Sequence, residues 1–135
     1  MLRSVSGRLA VCAALVFVTL AQAQVGHPAK GTWLGHWGPD AQQQRRLVIL
    51  LDWRDRALGG TLNPGPRAAK IDKATLDYGT WTLTIEAQLA AKPGEAPQKW
   101  VATGKLENLG SWTNRRYSGT YQHGSESGKF TATLN

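Results

Sequence analysis

Gly31-Thr32-Trp33-Leu34-Gly35-His36-Trp37-Gly38 is the stretch on which the reading of this chain turns. Trp33, Gly35 and Trp37 share one face of an extended backbone, and Thr32, Leu34 and His36 share the other. That period of two is the signature of a β-strand. Gly38-Pro39-Asp40 follows at once as a turn. The stretch therefore opens an antiparallel sheet rather than a helix.

The same alternation recurs downstream. Arg45 to Trp53 sets Leu47, Ile49, Leu51 and Trp53 on one face and Val48, Leu50 and Asp52 on the other. Apolar residues on both faces mark a central strand, or one whose outer face is covered. Arg54-Asp55-Arg56 is a tight hairpin, and Ala57 to Asn63 returns, with Gly59-Gly60 permitting a bulge or close packing against a tryptophan. Asn63-Pro64-Gly65-Pro66 is a loop, since two prolines cannot donate to a ladder. Ile71 to Tyr78 fits either a weaker strand or one short helical turn. Trp81 to Leu89 alternates most cleanly. Lys99 to Glu107, Arg115 to Gln122 and Lys129 to Leu134 complete the set, joined by polar connections. The expectation is an all-β domain of about eight antiparallel strands, a barrel or a sandwich. Sequential hairpins favour an up-and-down meander barrel, in which the last strand pairs with the first and no edge is left open.

A leader precedes this domain. Arg3 and Arg8 supply positive charge, Leu9 to Leu20 is an apolar run, and Ala21-Gln22-Ala23 is an A-x-A cleavage site. Residues 1–23 are expected to be a cleaved signal peptide and residues 24–135 a single barrel domain, periplasmic or secreted. The apolar run is shorter than the roughly 20 residues of a membrane-spanning helix, so no transmembrane segment is expected after cleavage. Cys12, the one cysteine, lies in the leader, which leaves the mature domain without thiol or disulfide chemistry. About 112 residues bury a modest core without staples.

The formal charge of +7 falls to about +5 once Arg3 and Arg8 are removed. A basic exported chain favours anionic lipid, anionic polysaccharide or an acidic protein over nucleic acid. His27, His36 and His123 are the only histidines. None has the close spacing of a zinc site; His27 reads as part of a polar tail at Val25 to Lys30, and His123 as part of a turn. No G-x-S-x-G elbow is present. Asp52 and Asp55 carry no sign of the burial that acid–base carboxylates need. Neither metal, cofactor nor catalysis is expected.

Six tryptophans in 135 residues are the strongest compositional feature. Trp33, Trp53, Trp81 and Trp100 read as inward-facing core. Trp37, Tyr117 and Tyr121 read as the wall of a ligand site at one barrel mouth. Trp112, in a polar connection, reads as an exposed anchor for a protein partner.

Gly31-Thr32-Trp33, at the head of an eight-strand meander, resembles the G-x-W opening of the calycin group: lipocalins, fatty-acid-binding proteins and avidins. The chain is shorter than most lipocalins and lacks their helix before the last strand. The helical pair of fatty-acid-binding barrels is also missing. Some bacterial periplasmic metalloprotease inhibitors use a similar small barrel and opening. The resemblance implies that Trp33 plugs one barrel end and that a late-strand arginine, Arg115 or Arg116, packs across its indole. The functional expectation is non-catalytic binding of a small hydrophobic or amphipathic ligand at one barrel end. The alternative is a protein-interaction or inhibitor module acting through loops and basic surface.

Overall fold

The computed structural model describes residues 26–135, so the expected signal peptide at 1–23 lies outside the described residues. Eight strands follow in order: β1 Gly31–Gly38, β2 Arg45–Arg54, β3 Ala57–Leu62, β4 Ala69–Asp77, β5 Thr82–Leu89, β6 Gln98–Glu107, β7 Arg116–His123 and β8 Glu126–Leu134. Each pairs antiparallel with the next, and β8 returns to β1, giving a closed up-and-down barrel. The stretch that opened the sequence reading is the seam. Trp33 pairs with Ile49 on β2 and Leu134 on β8, and Trp37 pairs with Arg45 and Phe130. At Gly35 a side chain would collide with the Thr131 carbonyl of β8, so a glycine lets the two strands close.

Local chemistry sets the corners. Asp55 and Arg56 both take positive φ, 51° and 63°, as the two-residue type I′ hairpin between β2 and β3 demands. The β3–β4 register shifts between Leu58 and Thr61, so of the two alternatives at Gly59-Gly60 a bulge is present. Gly60 has φ 148°, and a Cβ there would strike the Leu50 carbonyl. Between Ile71 and Tyr78 the strand alternative holds: β4 runs Ala69–Asp77.

The interior is filled by side chains. Trp33, Leu47, Ile49, Leu62, Leu83, Ile85, Trp100 and Tyr117 are fully buried, as expected of eight strands, whose interior is just wide enough for side chains to fill.

Four readings of the sequence need correction. Trp53 is 38% exposed, because it stands at the last turn of β2 and lies against His27 rather than inside the barrel. Trp81 is only half-buried: it sits in the β4–β5 turn with φ 57°, and β5 begins at Thr82. The expected polar tail is a packed strap, with His27 and Ala29 buried and a turn closed by the Lys30 N–H on the His27 carbonyl. His123, read as part of a turn, is the buried last residue of β7.

Candidate functional site

The topology sorts the connections into two ends. The strap, the β2–β3 and β4–β5 turns, residues 108–115 and the chain terminus gather at one end. Residues 39–44, 63–68, 90–97 and 124–125 gather at the other.

At the strap end the Trp33 indole N–H donates to the Ala29 carbonyl at 2.9 Å. Arg115 is 3% exposed and spends its guanidinium on main chain, donating to Pro28 O at 2.7 Å, Leu109 O at 2.6 Å and Ser111 O at 3.1 Å. Three carbonyls satisfy most of its donors, although burial lowers its pKa. Its aromatic contact is Trp112, 4.0 Å from the guanidinium carbon to the ring centre. Arg115 and Trp33 thus meet through the strap's carbonyls rather than by arginine-on-indole stacking. Arg116 is exposed, because it begins β7 on the outward face while Tyr117 points in. Trp112 is half-exposed, at 50%.

The other end carries an ionic clasp. Arg45 bonds Glu126 through both terminal nitrogens, at 2.7 and 3.0 Å. The Tyr121 hydroxyl donates to the same carboxylate at 2.7 Å. The Arg45 guanidinium also lies 4.4 Å above the Trp37 ring. The Arg45 hydrogen bond, aided by Tyr121, draws the Glu126 carboxyl down to about 2. Burial and the adjoining Glu126 push the Tyr121 phenol well above its ordinary value. The Arg45 and Tyr121 hydrogen bonds favour the ionised carboxylate, and burial favours the protonated phenol. Among the described residues no group of three or more His, Cys, Asp and Glu could hold a metal ion.

Trp37 and Tyr121 do come together, with ring centres 4.9 Å apart and edge to face. Trp100 and His123 complete the cluster around Trp37, at 5.9 and 5.5 Å. The indole N–H groups of Trp37 and Trp100 are buried and find no acceptor among the described residues. Tyr117 is not part of this wall. It is enclosed between Trp33 and Phe130 and donates its hydroxyl to the Leu83 carbonyl at 2.8 Å. The reason is strand rise: four residues separate two same-face positions by roughly 13 Å, so Tyr117 and Tyr121 sit at different depths.

A cleft of about 570 Å³ crosses the rim at the clasp end. Its outer part is Leu34, Arg46 and Val48 on the outward faces of β1 and β2; its inner part reaches Trp37, Arg45 and Leu89. Residues 63–67 form the facing wall. Asn63 anchors them, its N–H donating to Val48 O and its side-chain oxygen accepting from Val48 N–H. Three arginines line the cleft, and no acidic residue does. Arg45 is neutralised by Glu126; among the described ion pairs none involves Arg46 or Arg67.

Sequence reasoning missed Arg45 as a site residue, though its alternation with Leu47 and Ile49 put it on the inward face beside Trp37. Nothing local signalled Glu126, 81 residues away. Comparisons with protein-family models, with curated proteins and with solved structures gave no match.

Proposed function

We propose that this chain is an exported, non-catalytic barrel of calycin type that binds a small amphipathic ligand at its clasp end. The carrying observation is the 570 Å³ rim cleft, within the size range of small-molecule sites. Leu34, Val48, Pro64, Pro66 and Leu89 offer apolar wall, and Arg46 and Arg67 offer positive charge. Because Trp33, Trp100, Tyr117 and other large inward side chains are fully buried in the interior, this reading puts the ligand at the rim rather than inside the barrel. Titration of the mature protein with dodecanoate and with anilinonaphthalene sulfonate tests this. Saturable binding is expected, weakened about a hundredfold or more in an Arg46→Ala, Arg67→Ala double variant, each lost charged hydrogen bond being worth about 1.5–3 kcal/mol. Binding that never saturates, or that ignores the double variant, sinks the reading.

The second reading, a protein-interaction module, has its own observation in Trp112. The ring is half-exposed and backed by a buried arginine, the form of a rigid aromatic anchor. Capture of a partner from a cell-envelope extract that is lost in Trp112→Ala, with unchanged melting temperature, would favour it.

A further inference from the structure

His27 is a histidine with no room for a second proton. Its Nδ1 accepts the Ala29 N–H at 3.0 Å, which requires that nitrogen to be bare. The ring proton is therefore on Nε2, where it faces the Tyr78 hydroxyl at 2.8 Å. The imidazole lies against Trp53, with ring centres 4.5 Å apart and planes inclined by 31°, and the residue is 6% exposed. A second proton on Nδ1 would confront the Ala29 N–H donor with another donor, inside an aromatic enclosure that hydrates the charge poorly.

The surroundings offer the imidazolium no anionic partner, leaving only the weaker attraction of the Trp53 ring. On β2, Asp52 is engaged by Arg54 at 2.6 Å and by Lys30 of the strap at 3.9 Å. At the end of β4, the Asp77 carboxylate takes the Gly79 N–H, and Tyr78 presents only its neutral hydroxyl. Arg115, which reaches the strap through Pro28 O, adds like charge. No carboxylate bonds either ring nitrogen among the described hydrogen bonds and ion pairs. Burial accordingly lowers the pKa of His27 below its ordinary value.

The strap that His27 anchors is also the acceptor for the end of the barrel. Ala29 O takes the Trp33 indole N–H and Pro28 O takes Arg115. We propose that the strap is an acid-released latch, held while the His27 imidazole is neutral and let go when it takes a second proton, uncovering the Trp33 end of a barrel that otherwise stays folded. The device belongs to the strap end and does not depend on what the rim cleft binds.

The experiment is an NMR titration of the His27 ring in the mature protein, with residue-resolved hydrogen-exchange protection, from about pH 8 to pH 5. The ring should titrate below its ordinary value of about 6.5. Protection of the Ala29 amide and the Trp33 indole should fall about tenfold per pH unit below that value and level off at the folded-state pKa, as one linked proton requires. Amides of Ile49 and Ile85 should keep their protection. His27→Gln should remove the pH step. A ring that titrates at or above 6.5 overturns the latch, and so does parallel loss of protection at Ile49 and Ile85. A step that survives in His27→Gln does the same. The ring titration is read on the unsubstituted protein, so the result stands even where the variant does not fold.

Discussion

At the strap end, Trp33 and Arg115 give their polar hydrogens to main-chain carbonyls of a segment that precedes the barrel. At the clasp end, Arg45, Tyr121 and Glu126 satisfy one another through side chains alone. Both ends present a tryptophan on β1 and an arginine nearby, yet the two pairs behave differently. Arg115 is buried and uncompensated by an acid, so its carbonyl partners must all be in place. Arg45 is about a third exposed and paired with a carboxylate, so its contribution follows pH and salt. A backbone-closed end suits a structural plug. The end closed by an ion pair adjoins the cleft lined by Arg45, Arg46 and Arg67, on which the proposed binding rests.

The contrast is sharpest for large substitutions. Trp33→Ala should cost about 3–5 kcal/mol in urea unfolding, since the indole is fully buried and its N–H is bonded; a loss near zero would break the plug reading. Arg115→Met should cost about 2–4 kcal/mol, because three carbonyls lose a charged donor, and the same substitution at Arg45 should cost less. Equal losses at the two arginines would erase the distinction between the ends.

The clasp should show itself in pH. Glu126 has its pKa drawn down from 4.5 to about 2, so the unfolded chain takes up the proton first as pH falls. Its stabilisation is complete above about 4.5 and disappears as pH drops toward 2. For a pair about a third exposed, this amounts to about 1–2 kcal/mol after screening. Glu126→Gln should lose that amount at pH 7 and flatten the acid limb of the melting curve; an unchanged acid limb would show that the clasp adds nothing. The smallest effect is expected at Trp112→Ala, within about 1 kcal/mol, because the ring is half-exposed and its main contact is the cation–π face of Arg115. A loss as large as that of Trp33 would place Trp112 in the structure of the plug rather than on a free surface.

The barrel itself was legible because alternation is a local property. Trp33, Leu83, Ile85, Trp100 and Phe130 could be set inward from their neighbours alone, and the turns at 38–40, 54–56 and 63–66 announced themselves by residue type. Trp53 and Trp81 misled because alternation tells which face a residue is on, not whether the barrel still encloses that face at its ends. Grouping Tyr117 with Trp37 and Tyr121 erred along the other axis, since a shared face says nothing about depth.

From the chain alone come the strand period, the hairpin order and the close strand contact available only to glycine, because each depends on a few consecutive residues. The pairings that distinguish the two ends span most of the chain: Arg115 with Pro28 across 87 residues, Arg45 with Glu126 across 81, Tyr78 with His27 across 51. No local pattern encodes them. They follow from closure of β8 onto β1, which fixes the register and with it which buried donor finds which acceptor.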